Sequence, residues 1–187
     1  MSRLENASKP IIGALMNDVS LWLDTAQQSQ VAIWSMKTAM VVEQVNSRKR
    51  TPCYDQIERE ELRLTSAIPI QTLMWLGRCS LRSLAAIGTD IWVDLPAIPK
   101  VARGAVTTII VGHLAIQVLT IHVRAEHRHR NVDINTIHPK AGKWDKLLIP
   151  FHFPTRTIQW PPPLTFTNDG AMSIARLMDR WRIGNAA

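Results

Sequence analysis

The 187-residue chain carries 22 Lys and Arg against 15 Asp and Glu, a formal net charge of +7, and 46% of its residues are apolar, including seven tryptophans. That is apolar material for one folded domain with a substantial core, and far too much for a disordered chain. The two cysteines, Cys53 and Cys79, form no CxxC pair, which argues against a disulfide framework or a cysteine-ligated zinc site and fits a reducing, cytoplasmic compartment.

The N-terminus has no charged stretch leading into an apolar run and a small-residue cleavage site, so it does not read as a secretory signal. In "SRLENASKPIIGALMNDV", Leu4, Ile11, Ile12, Leu15 and Val19 share a helical face, and a short helix interrupted at Pro10 or starting near it is expected. Thr25 and Gln28 have capping-box spacing. The following "QVAIWSMKTAMVVEQV" predicts a core helix from about Ala26 to Val45, with Val31, Trp34, Thr38, Val41 and Val45 on its buried face. "NSRKRTP" then reads as a basic loop, and "YDQIEREELRLT" as one or two charged helical turns.

From Ile70 the period changes. "IQTLMWLGRCS", "TDIWVDLP", "AVTTIIV", "HLAIQVLTIHV", "KLLIPFHF" and "TIQWPP" are short β-branched or aromatic runs, as in an antiparallel sheet. Gly104 to Val123 lacks Asp, Glu, Lys and Arg over nearly a bilayer's thickness, but it contains His113, Gln117 and His122, and its β-branched residues cluster on either side of Gly112. Two buried strands, and no membrane span, are expected there. "DGAMSIARLMDRW" predicts a C-terminal helix over about 169–182, capped by Asp169. The expected architecture is therefore α+β within a single domain. A helical part runs to about residue 65, a strand-rich basic part spans about 70–165, and a final helix closes the chain.

The positive charge is uneven. Residues 1–94 carry ten Lys and Arg against ten Asp and Glu, and residues 95–187 carry twelve against five. A field of that kind attracts polyanions by charge and not by sequence, which makes nucleic acid the leading partner. In "HVRAEHRHRNV", residues 122–132, three histidines alternate with arginines, so a metal centre and a basic surface compete. His127 and His129 share a strand face that His122 does not, the spacing of five between His122 and His127 breaks helical pairing, and the interleaved arginines oppose a divalent ion. The basic surface is the better reading, with Arg124, Arg128, Arg130, Lys140, Lys143 and Lys146 as phosphate-contacting residues and no metal or other cofactor. Asp90 and Asp94 lie four apart on a strand, about 13 Å at the usual rise, too far to share a ligand. "SRKR" (47–50) reads as a solvated junction, and "WPPPL" (160–164) as a strand end held extended by prolines.

"MSRLENASKPII", "VAIWSMKTAMVVE", "MWLG", "VGHLAIQV" and "WPPPL" together resemble the region downstream of the metal core in bacterial HNH-type endonuclease-like proteins, with Trp34, Lys37, Thr38, Ala39 and Glu43 as the most specific pattern. In that family a Cys-x-x-Cys-Asn-x-Gly-Trp-Met stretch closes the metal core and leads into Ser-x-Leu-Glu, and the chain is expected to begin at that methionine. The resemblance implies a nuclease relative without the metal-bound water that attacks the phosphodiester. No catalytic residue carries over, and whether the chain is an enzyme stays open. The expected function is a scaffold or nucleic-acid-facing part without cleavage of its own. The alternatives are a module docking a separate HNH-bearing chain, or a metallo-enzyme using histidines 113 to 138.

Overall fold

A computed structural model describes residues 3–46, 52–95, 98–123, 148–151, 156–167 and 170. The described fold is α+β, with helices α1 (Arg3–Met16), α2 (Thr25–Asn46) and α3 (Gln56–Thr65) and strands β1 (Leu21–Leu23), β2 (Thr72–Leu95), β3 (Ile98–Val123), β4 (Ile149–Pro150) and β5 (Ile158–Trp160). β3, β2 and β4 form one antiparallel sheet in that order, and β1 pairs antiparallel with β5 in a second. The helix expected over 169–182 lies outside the described residues.

Four of the six runs expected as short strands merge into two long ones, while the last two contain the short strands β4 and β5. β2 spans 24 residues and β3 spans 26, paired from Thr72↔Thr120 to Leu95↔Ile98. The fusion is possible because the register breaks between Arg78 and Ser83, opposite Gly112, which sits at φ +60°. This irregularity changes which alternate residues face the helices. Leu114, Ile116 and Val118 join the helix-side core after it, whereas Ala105 and Ile109 do so before it. Val106, Leu119 and Ile121 pack on the opposite face with Trp75 and Ile91. A period-two count sees two strands of opposite phase, where the chain makes one strand with an irregularity in it.

α1 runs unbroken through Pro10 and buries Ile12 and Leu15, while Val19, expected on the same face, lies beyond the helix and is exposed. α2 has the expected extent but a different cap and a different face. Its capping box is Asp24 with Gln27, whose backbone N–H donates to Asp24 Oδ1 (2.7 Å) while Gln27 Oε1 accepts from Asp24 N–H (3.0 Å). Gln28 is buried and donates instead to the carbonyls of Leu23 and Arg156, both at 2.9 Å. The buried stripe is Val31, Ala32, Ser35, Met36, Ala39, Met40 and Glu43. Trp34 packs only partly against the core, and Val41 and Val45, expected inside, are exposed. Small residues at 32, 35 and 39 let α2 lie close to the sheet, so the close-packed face outcompetes the face with the larger aliphatic side chains.

α1 and β3 meet where a side chain cannot fit. A Cβ on Gly112 would lie 2.3 Å from the Met16 carbonyl oxygen, and the positive φ already disfavours any L side chain. Gly112→Ala is therefore expected to lower stability by about 2 kcal/mol or more, combining the left-handed backbone cost with the clash. Urea denaturation of the variant checks this, and an unchanged midpoint would contradict the close seating of α1 on β3.

Candidate functional site

The described polar side chains converge where the ends of α2, α3 and β3 meet. The chain re-enters at Pro52 to Asp55, just ahead of α3. The N-cap Asp55 accepts from Glu58 N–H (2.8 Å), and Glu58 Oε2 accepts from Asp55 N–H (3.0 Å), a full capping box that fixes where α3 begins. Glu43, buried on α2, accepts from the backbone N–H groups of Cys53 and Tyr54 and from Arg59 Nη2 at 2.7 Å. Arg59 Nη1 also donates to the Met40 carbonyl at 3.0 Å, so one guanidinium ties α3 to two points of α2. A buried carboxylate with three donors is a satisfied one.

Tyr54 sits at the centre and is fully buried. Its hydroxyl lies 3.2 Å from Thr120 Oγ1, which is 2.9 Å from Thr72 Oγ1, so a short hydroxyl chain joins the pre-α3 segment to β3 and β2. The Arg59 guanidinium lies 6.0 Å from the Tyr54 ring centroid on one side, and the His122 ring meets it edge to face at 6.3 Å. His122 Nδ1 is 3.5 Å from Glu58 Oε1, and its Nε2 is buried without a hydrogen-bond partner among the described residues. Next to this group, Arg103 pairs with Asp90 at 2.9 Å and reaches the Pro52 carbonyl at 3.5 Å. Burial, reinforced by Glu43, pushes the Cys53 thiol up to about 12, so it stays protonated at neutral pH. Burial likewise raises the Tyr54 hydroxyl above its ordinary value.

The sequence-predicted residues fall unevenly on this geometry. His122, the first histidine of the basic stretch, is a half-buried side chain against Glu58 and Tyr54. His113 is held with Nδ1 2.9 Å from the Cys79 carbonyl oxygen, nine residues along β3 from His122. Asp90 is committed to Arg103, and the carboxylate of Asp94 lies outside the described side chains. Arg124, Arg128, Arg130, Lys140, Lys143, Lys146 and the 47–50 stretch also lie outside the described residues. In "WPPPL", Trp160 and Pro162 are buried and Trp160 pairs with Leu21, which agrees with a strand end. No group of three His, Cys, Asp or Glu among the described residues is placed to hold a metal ion. No described helix is long and apolar enough to cross a membrane, and Gly104 to Val123 lies within β3.

Sequence reasoning missed Tyr54, Glu58 and Arg59 as members of this group. The signal available was Asp55 followed by Glu58, a second capping box. Compared with protein-family models, curated proteins and solved structures, the chain matches none.

Burial raises the Glu58 carboxyl, opposed by the Asp55 N–H and by His122. A carboxyl raised on folding adds stability that is fully present below its ordinary value of 4.5 and is lost as pH rises through the folded value. Glu58→Gln keeps an oxygen for the capping box and removes this titration. The stability of the variant relative to wild type should therefore rise with pH across that window, as read by urea midpoints from pH 4 to 7. A difference that is flat or falling with pH would contradict the burial of this carboxyl.

Proposed function

We propose that the chain is a non-cleaving scaffold that presents basic segments to the phosphate backbone of nucleic acid, the counterpart of the region that follows the metal core in HNH-type endonuclease-like proteins. One observation carries the reading. The described residues contain ten Lys and Arg against ten Asp and Glu, so the whole +7 belongs to the remaining residues, where twelve face five. Within the described body Arg59, Arg78 and Arg103 are each paired with a carboxylate. The excess falls mainly in 47–51, in 124–147 and in 171–187. The first two directly precede Pro52 and directly follow Val123 in the sequence. Charge gathered in this way binds phosphate through counterion release and reads no base.

The non-cleaving part of the proposal rests on the motif resemblance, since the matched residues include none of the family's metal-core Cys, His and Asn. A second reading, a module docking a separate HNH-bearing chain, draws on Trp22, which is 63% exposed. Such binding would persist at high salt.

The purified chain should bind oligonucleotides with an affinity that falls linearly in log–log form as salt rises. Arg124→Ala, Arg128→Ala and Arg130→Ala together should shallow that slope by up to about one unit per lost phosphate contact, about equally for all sequences. Fluorescence anisotropy from low to moderate salt measures it, with plasmid integrity in Mg²⁺ as a companion reading. Salt-independent binding, an unaffected triple variant, or nicking abolished by EDTA would each count against the proposal.

A further inference from the structure

We propose that residues 83 to 90 of β2 are a self-pairing edge through which the chain forms a two-fold dimer, the occupant of the edge being a second copy of this chain. The inference is independent of the nucleic-acid reading above. β3 pairs with one side of β2 along almost its whole length. Among the described residues the other side is covered only in its first half, by β4 at Trp75 and Leu76 and by Phe166 beside Cys79 and Ser80. From 83 to 90 no described strand pairs with it. The helices stop short of it as well. Ile109 and Val111 of β3 pack into the helix-side core, whereas their cross-strand partners Ala86 and Leu84 are exposed, Leu84 by 85%.

A free strand edge offers alternate backbone N–H and C=O groups as a template for another strand, and proteins that keep such an edge single blunt it with lysine, proline or an inward charge. Residues 83 to 89 read Ser-Leu-Ala-Ala-Ile-Gly-Thr, with neither charge nor proline. The run is also complementary to itself. Antiparallel pairing about a two-fold axis at Ala86 sets Leu84 opposite the partner's Gly88 and Ile87 opposite the partner's Ala85, a large side chain against a small one at each step. At the ends of the run the same register sets Arg82 opposite the partner's Asp90. Arg82 is exposed and its described partner is the neutral side-chain oxygen of Asn17, while Asp90, already paired with Arg103, is a carboxylate and accepts more than one donor. Moving the axis by one residue sets Arg82 opposite Gly88 or Trp92 and loses that match. The ribbon here is two strands wide, a marginal arrangement in water, and dimerisation widens it to four.

Sedimentation velocity at low salt tests the pairing with wild type, Ala86→Lys, Ala86→Glu and a one-to-one mixture of the two variants, with thermal midpoints recorded for each. Ala86 meets itself across the axis, so either variant alone brings like charges together and the mixture brings opposite charges together. Wild type should dimerise, each variant alone should dissociate about tenfold more readily, and the mixture should recover most of that loss. Both substitutions fall on an exposed side chain, so the fold should persist in each. A wild type that stays monomeric across its soluble range leaves the edge to a different strand and overturns the proposal. So does a dimer that persists equally in both variants, or a mixture that associates no better than its components.

Discussion

The continuous pairing of β2 with β3 is the constraint on which the other elements depend. A two-stranded ribbon is marginal in water, however long, because each face leaves its side chains half wet. It becomes stable only when both faces are covered. Here α1 and α2 cover one face through Met74, Leu76, Ile109, Leu114, Ile116 and Val118, and Leu148 packs on the other with Trp75, Leu119 and Ile121. The irregularity at Gly112 reconciles the two covers. It lets a single strand present one phase of residues to the helices along its first half and the opposite phase along its second. It also opens the only backbone without a Cβ where the end of α1 needs to sit. The Asp18–Arg78 pair, in which Nε donates to both carboxylate oxygens at 2.8 and 3.0 Å, then locks the turn after α1 to β2 at the same level.

At the other end the lock is polar. Glu43 is an ion taken out of water, and its cost is met by two backbone donors and one guanidinium. Such an arrangement adds little net stability over an apolar replacement, but removing one partner strands the other, typically at about 3–5 kcal/mol. Its consequence is therefore geometric. Backbone N–H groups accept one carboxylate orientation, and Arg59 reaches both Glu43 and the Met40 carbonyl from a single rotamer. The Tyr54–Thr120–Thr72 hydroxyl chain extends the same specificity to the sheet. The joint fixes register between α3 and the ribbon where apolar contact alone would let them slide.

The extent of α2 and the presence of an antiparallel sheet were legible because each follows from a local pattern: helical periodicity over twenty residues, and β-branched runs between turn residues. The buried face of α2 was not, since Val41 and Val45 look like core residues until Ser35, Ala39 and Glu43 are seen to allow closer approach and to meet Cys53 and Arg59. The cap moved by one residue because Asp24 competes with Thr25 for the same orphan N–H groups, and the carboxylate is the stronger acceptor. The fusion of two expected strands at Gly112 was illegible for a different reason. A glycine between β-branched clusters marks a turn or an irregularity equally well, and only long-range pairing decides. Of the polar joint, the sequence offered His122 and Glu43 without their partners, because Tyr54 and Glu58 reach them across separations of 11 to 68 residues.

The division of charge follows from these demands. Within the described residues Arg59, Arg78 and Arg103 each pair with a carboxylate, and Glu43 is buried against Arg59. The excess of Lys and Arg over Asp and Glu falls in residues 47–51, 124–147 and 171–187, outside the described residues. On the proposed reading that excess is the charge available to phosphate, while the Glu43–Tyr54–His122 joint serves to hold α2, α3 and β3 together.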